Sequence, residues 1–357
     1  STVDPVLAAK FSAFHTLLAR RVGARSHLLK AMGGKAAMLG STDQPRAVEK
    51  VRAQIRELGD RIPACEAHAQ AAYGLAIADT YLGVWGDGYR GLLEARRLFD
   101  QRAGVPPENG WGAVMLVIVC HQLGRIREAK RWMGQVLVDS EARGDLWSKI
   151  SVRTGVANVL RLTTGDDAEA EAAVTEAERL CAERQYTMID GWNLYARCQI
   201  DLFRGRPVDA IERIERAWPH LERNFYLHVG VLRISTIEAR GRAALAASRT
   251  GAGARYTALA RDDAKRLEKE GTRWSFAVAA LLRAGLEAEA DVPDGLREAE
   301  AAFERADMLM HVHLIRRRRG QLLGGDTGRA LVDAADRWAT DEGLTAIEAL
   351  SRVWVPL

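Results

Sequence analysis

The sequence predicts an all-α protein built from stacked helical hairpins, and three observations lead there. Alanine, leucine, arginine and glutamate dominate, with only nine prolines in 357 residues, a composition that favours helix over sheet. Apolar residues recur at helical spacing along most of the chain, and no stretch alternates apolar and polar at the strand period of two. A short phrase, a glycine followed by a triplet on one helical face that opens on a small residue, recurs at intervals of roughly forty residues.

Taken in order, Val6–Val22 reads as an amphipathic helix and His27–Leu39 as a second, broken at Gly33-Gly34. Ala47 and Val51 are a weak first instance of the phrase. Gly86 leads to Gly91, Ala95 and Leu98. Gly124 leads to Ala129, Met133 and Val136; Gly165 to Ala170, Val174 and Ala177; Gly205 to Ala210, Ile214 and Ala217. Ala260, Ala264 and Leu267 repeat the triplet, as do Ala299, Phe303 and Ala306, with Ala330 and Ala334 as a weak last instance. Residues three and four apart share a helical face, and a small first residue lets a second helix approach the first closely. Apolar helices fill the intervals: Ala71–Trp85, Trp111–Leu123, Ile150–Leu162, Trp192–Phe203, Tyr226–Ala247 and Trp274–Leu286. The final stretch, Thr345–Val355, reads as a capping helix.

A helical hairpin cannot bury its own apolar face, so successive hairpins must stack. The expected fold is therefore an α-solenoid of about seven tetratricopeptide-like hairpins wound into a superhelix. Residues 1–40 are expected as an N-terminal helical cap, 41–342 as the repeat array and 343–357 as the C-terminal capping helix.

Composition narrows the function. Hydrophobic residues make up 48% and charged residues 27%, an ordinary globular balance, and the net charge is only +4, which gives no electrostatic case for a nucleic-acid binder. The four cysteines, Cys65, Cys120, Cys181 and Cys198, form no CxxC pair and are expected as reduced thiols in a cytoplasmic protein. The longest strongly apolar run, Val114 to Cys120, is far short of the ~20 residues that span a bilayer.

The search for catalytic chemistry is mostly negative. Met32-Gly33-Gly34-Lys35-Ala36 lacks the upstream glycine and the following Ser/Thr of a phosphate loop. Gly251-Ala252-Gly253 follows a helix rather than a strand, so it reads as a linker. His311 and His313, two apart on a helix, diverge and cannot share a metal, and Cys120 and His121 diverge likewise. Neither HExxH nor GxSxG occurs. The pairs Asp166-Asp167 and Asp262-Asp263 are expected at helix starts or on exposed faces. The run Arg316–Arg319 sweeps round its helix, so some of its stems must lie against neighbouring helices. Asp201, among apolar neighbours, calls for an ion pair, with Arg197, Arg240 or Arg242 as candidate partners. No catalytic residue, metal or cofactor is expected.

Several phrases resemble the C-terminal helical-repeat region of large bacterial serine/threonine kinases of the myxobacterial and planctomycete kind. They are Gly144-Asp145-Leu146-Trp147, Gln199-Ile200-Asp201-Leu202-Phe203-Arg204-Gly205, Arg216-Ala217-Trp218-Pro219-His220-Leu221-Glu222-Arg223, Arg240-Gly241-Arg242-Ala243-Ala244-Leu245-Ala246, Leu281-Leu282-Arg283-Ala284-Gly285-Leu286, and Arg319-Gly320-Gln321-Leu322-Leu323-Gly324-Gly325-Asp326 followed by Ala335-Asp336-Arg337-Trp338. The resemblance runs from about Tyr73 to Trp338. In that family a kinase domain and a predicted AAA/STAND-type ATPase precede such a tail. Neither the glycine-rich nucleotide loop, HRD, DFG nor Walker A occurs here. The resemblance implies a non-enzymatic regulatory tail that binds a protein or peptide segment in its concave groove. The alternative is a small-molecule effector sensed by the tail of a STAND-type regulator. Tryptophans open several first helices: Trp111, Trp147, Trp192 and Trp274. Trp192, Tyr195, Arg153 and Arg233 are the candidate groove residues, a guanidinium beside exposed aromatics being suited to capturing a carboxylate or acidic peptide.

Overall fold

In a computed structural model the protein is all-helical, with no strand among the described residues. The structure describes residues 5–63, 66–101, 108–181, 188–249 and 253–357, excepting the side chains of 5, 6, 8, 9, 108, 109 and 188. Cys65 and the first two residues of Gly251-Ala252-Gly253 lie outside the described residues.

The helices are α1 (Pro5–Val22), α2 (Arg25–Ser41), α3 (Pro45–Gly59), α4 (Glu66–Tyr81), α5 (Trp85–Asp100), α6 (Glu108–Gln122), α7 (Ile126–Arg143), α8 (Leu146–Ser151), α9 (Gly155–Leu162), α10 (Asp167–Cys181), α11 (Met188–Phe203) and α12 (Pro207–Arg223). A 3₁₀ turn, Tyr226–His228, leads to α13 (Gly230–Ser248), α14 (Gly253–Lys269), α15 (Arg273–Ala284), α16 (Val292–Arg305), α17 (Leu309–Leu323), α18 (Gly325–Glu342) and α19 (Ile347–Trp354). Consecutive helices pack in pairs: α4 with α5, α6 with α7, α9 with α10, α11 with α12, α13 with α14, α15 with α16 and α17 with α18.

The recurring phrase explains this pairing. Gly83, Gly124, Gly165 and Gly205 end first helices in the left-handed region, at φ of +73°, +70°, +86° and +68°, where a Cβ costs about 1–2 kcal/mol. Beyond them Ala129, Ala170, Ala210, Ala260 and Ala299 are fully buried, so the paired helices meet at a methyl group. At the ends of the series the register shifts. Ala47 is half-buried and Val48 takes its inward place, while Ala330 is exposed and Gly328, Ala335 and Ala339 turn inward.

Other boundaries also depart from expectation. Helix α2 runs unbroken through Gly33-Gly34 because α4 crosses it there at backbone contact. A Cβ on Gly33 would stand 2.7 Å from the Gln70 carbonyl oxygen, and one on Gly74 would stand 2.2 Å from that of Gly33. The stretch Ile150–Leu162 divides into α8 and α9 at Val152–Thr154. Trp85 opens α5 instead of closing α4, since Gly83 and not Gly86 is the turn glycine. Asp263 is buried, not exposed, and is held by two hydrogen bonds from Arg240 at 2.6 and 2.9 Å.

An open array makes contacts between neighbours only. Here distant segments also meet. Arg233 of α13 donates to Asp43 in the α2–α3 turn at 2.9 Å. The backbone N–H of Arg127 donates to Glu342 at 2.9 Å, and those of Thr345 and Ala346 donate to the Thr163 carbonyl at 3.0 and 3.1 Å. The Trp85 and Trp274 rings meet edge to face. The terminal helix α19 does more than cap the chain. It packs on both α11 and α17, and Leu350, Val353, Trp354 and Val355 are buried.

Ion pairs tie this packing together both at the surface and in the interior. Asp201 is paired, but with Arg206 and Arg213 of its own hairpin, at 2.9 and 2.8 Å. Arg197 reaches back to Glu171 and Glu178 on α10, while Arg240 holds Asp263 and Arg242 holds Glu238. The four arginines of 316–319 divide their attention: Arg316 and Arg319 go to Glu300, Arg317 to Asp336 and Glu348, and Arg318 to the Leu357 carbonyl. His311 stacks on Phe303 and His313 on Trp338, so the two imidazoles do diverge. Cys120 and Cys198 are buried thiols, and burial pushes the Cys120 thiol up to about 12. No described helix is long and apolar enough to cross a membrane.

Candidate functional site

Where the ends of several first helices converge, aromatic side chains wall a chamber. Tyr81 comes from the end of α4 and Trp85 from the start of α5. Trp111 and Met115 lie on α6, Trp192 and Tyr195 on α11, and Tyr226 on the 3₁₀ turn. The Thr154–Gly155 bend that splits α8 from α9 contributes a small-residue floor, and Leu232 and Ser235 of α13 close one side. The cavity proper is about 70 Å³ and opens onto a mouth, the unfilled space with the solvent in that mouth being about 730 Å³. Tyr81, Val156, Trp192, Val231 and Ser235 keep part of their surface accessible.

The tryptophans support one another. Trp111 and Trp192 lie nearly parallel, 10° between planes and 5.6 Å between centroids. Trp147 packs tilted against both, at 5.8 Å from each. The repeat explains their convergence: each opens, or nearly opens, a first helix, so stacking neighbouring hairpins brings them side by side. Such a cluster fixes large apolar area with few rotatable bonds.

Electrostatically the wall is neutral. None of the described residues lining it is Asp, Glu, Lys, Arg or His. Burial raises the Tyr81 phenol to about 12. Burial, with the Glu238 carboxylate beside it, raises that of Tyr195 as well, so both stay protonated near neutrality. Most wall hydroxyls are already engaged: Thr80 donates to the Ala76 carbonyl, Ser151 to that of Trp147 and Ser235 to that of Val231. The indole N–H of Trp85, a residue only 1% exposed, has no acceptor. The chamber therefore presents aromatic faces and sparse polar atoms. Bringing an anion into it costs its hydration with no counter-charge in return.

Of the four groove candidates, Trp192 and Tyr195 stand together in this wall, and the two arginines do not. Arg153 turns back along α8, donating to the Lys149 carbonyl at 2.6 Å. Arg233 is committed to Asp43, Glu270 and the Leu227 carbonyl, and so serves as a clamp between distant segments. Sequence reasoning missed Trp85 and Tyr226. Trp85 was recoverable from Leu82-Gly83-Val84, which sets the turn as Leu123-Gly124-Arg125 does. Tyr226 sits in an irregular turn that no periodicity marks.

A second, fully buried cluster lies behind the chamber. The Arg242 guanidinium donates to Glu238, to the Gln199 side-chain oxygen at 2.9 Å and to the Val353 carbonyl at 2.7 Å. It also lies over the Trp354 ring, 4.8 Å from the centroid. His121 of α6 and His311 of α17 flank the same indole. Burial holds the His121 imidazole down at about 3 and lowers that of His311 well below its ordinary value, the latter also repelled by His121 and Arg242. Among the described residues no group of three or more His, Cys, Asp or Glu is placed to hold a metal ion.

No protein-family model matches this chain, and no curated protein registers as similar to it.

Proposed function

We propose that the chain is a non-catalytic sensor module, a helical-hairpin solenoid whose inner wall binds an uncharged, largely apolar small molecule. The observation that carries this reading is the aromatic chamber, partly open and with no Asp, Glu, Lys, Arg or His among its described lining residues. An open-mouthed chamber with aromatic walls and sparse polar atoms suits part of a small apolar ligand. The resemblance to kinase tails would make this the regulatory part of a signalling protein.

A matched pair of compounds tests the proposal by thermal shift. Neutral N-phenyl-1-naphthylamine should raise the melting temperature by about 3–4 °C at about a hundredfold excess over its Kd. The 8-anilinonaphthalene-1-sulfonate anion, which has the same anilinonaphthalene body, should not. Equal stabilisation by the anion, or none by either compound, refutes it.

A second reading, capture of a partner helix, is favoured by one feature. A helix, α19, already packs against α11 and α17. That same helix fills ground a partner would need, so the chamber is the better supported site.

A further inference from the structure

Helix α1 lies inside out. A helix that caps a core turns its apolar stripe inward, but α1 packs on α2 through small and polar residues. Ser12, His15 and Thr16 are half-buried there, and Ala19 is buried. A Cβ on Gly34 of α2 would stand 3.8 Å from the Ser12 hydroxyl oxygen, and the His15 and His27 rings meet edge to face. The Thr16 hydroxyl donates to the Ser12 carbonyl at 2.9 Å.

The large apolar residues of α1 face water instead. Leu7, Phe11, Phe14, Leu17, Leu18 and Val22 are 45–76% exposed. Steps of three and four residues place Leu7, Phe11, Phe14, Leu18 and Val22 in one stripe. Of the thirteen large apolar side chains exposed among the described residues, these six stand on a single helix. That concentration sets the stripe apart from the scattered apolar exposure ordinary on protein surfaces.

Charge is equally lopsided here. Between Asp4 and Asp43 the sequence has six bases, Lys10, Arg20, Arg21, Arg25, Lys30 and Lys35, and neither Asp nor Glu, although the whole chain is near balance at +4. Among the described residues Lys30 alone of the six has an acidic partner, Glu66 at 3.6 Å. The other five are exposed. By helical geometry Lys10 and Arg21 border the apolar stripe, where a long stem can lie along it and carry the cation to its edge.

We propose that α1 is an interfacial anchor that lays this stripe into the surface of an anionic lipid bilayer. Helices with Phe and Leu on one face and bases beside it settle in that interface, and the bases then meet anionic headgroups. Complementary charge selects this occupant. A second copy of the chain would set bases against bases, with no acid in the segment to pair them. A protein partner would have to supply a groove for a convex helix, whereas a fluid lipid surface closes round it. None of these residues lines the aromatic chamber.

Co-sedimentation of the full chain with large unilamellar vesicles tests this. Phosphatidylcholine vesicles with about a quarter phosphatidylserine should take up the wild-type chain at least about tenfold more strongly than phosphatidylcholine alone, and about 0.5 M salt should remove most of that difference. Phe11→Ser/Phe14→Ser should weaken the partition by about tenfold or more, and Arg20→Gln/Arg21→Gln by about fivefold or more. Both pairs are exposed, so melting temperatures should stay within about 2 °C of wild type. Val138→Ser, at an exposed apolar residue of α7, should bind as wild type does. Hydrogen exchange on the vesicles should slow in the amides of α1 and not in those of α15. Uptake that ignores lipid charge, or that is unchanged in the Phe11→Ser/Phe14→Ser chain, overturns the proposal. Absence of uptake by the anionic vesicles overturns it too, and leaves an acidic protein partner as the occupant. A lipid-free dimer that the same variant splits into monomers overturns it in favour of a second copy. Slowed exchange elsewhere with α1 unchanged also overturns it. Should either double variant fail to fold, the lipid-charge and exchange comparisons on wild type still decide.

Discussion

Lowering the pH from 7.5 to 5.0 should destabilise this fold, and the buried histidines set the size of the effect. His121 is 2% exposed and its folded-state pKa is held at about 3, against an ordinary 6.5, by loss of hydration. A depressed histidine favours the fold only while neutral. Its contribution is complete above about pH 6.5 and is lost as the pH falls toward about 3, at about 1.4 kcal/mol per pH unit. Between 6.5 and 5.0 His121 alone therefore costs about 2 kcal/mol. His311 and His313 are shifted the same way, His313 to about 4. Asp79 opposes them. Its carboxyl is raised to about 6 by burial despite the Arg52 guanidinium, so its contribution is present below 3.8, is lost as the pH rises through about 6, and returns about 1 kcal/mol on acidification to pH 5. The net expectation is a loss of a few kcal/mol. Urea unfolding followed by circular dichroism at both pH values measures it. His121→Gln, which cannot titrate, should remove about 2 kcal/mol of the difference. Stability that is flat or rises toward pH 5, or a His121→Gln protein with the wild-type pH dependence, would refute the reasoning.

Three further outcomes are expected. Gly74→Ala should cost at least about 3 kcal/mol or abolish folding, because its methyl meets the backbone of Gly33; thermal melts read this, and a near-wild-type melt would contradict the helix crossing. Asp201→Ala should cost only about 1–2 kcal/mol, because Arg206 and Arg213 retain 46% and 39% exposure and can return to water; a loss above about 4 kcal/mol by urea titration would show that the pair is more deeply buried. Arg233→Ala should lower the melting temperature by stranding Asp43 and Glu270, yet leave probe affinity in the chamber within about twofold; a loss of binding at full stability would return this arginine to the site.

What the sequence disclosed and what it withheld divide along one line. Local and periodic features were legible. The turn glycines 124, 165 and 205 and the alanines that follow them repeat in register, so one physical explanation covers every copy. Trp192 was singled out because tryptophans recur near the starts of first helices, and Tyr195 because it lies one turn further on. Features set by contact between distant segments were not legible. Gly33-Gly34 looks like a break until Gly74, far along the chain, is laid across it. Asp201 needs a partner by elementary electrostatics, but which arginine arrives depends on how α12 rotates against α11. Arg233 resembles a free guanidinium among apolar neighbours until Asp43 folds back onto it. The packing of Trp354 against His121, Arg242 and His311 joins three helices from different hairpins to the chain's last turn, and no spacing in the sequence marks it.

The central claim is that the aromatic chamber takes a neutral apolar molecule, and a fluorescence titration with N-phenyl-1-naphthylamine tests it most directly. With Trp85, Trp111 and Trp192 in the wall, excitation of tryptophan should pass to the bound probe. Saturation at one probe per chain is predicted, with strong energy transfer and at least about a tenfold loss of affinity in Trp192→Ala. Binding that does not saturate, or that survives Trp192→Ala unchanged in a folded protein, would contradict it.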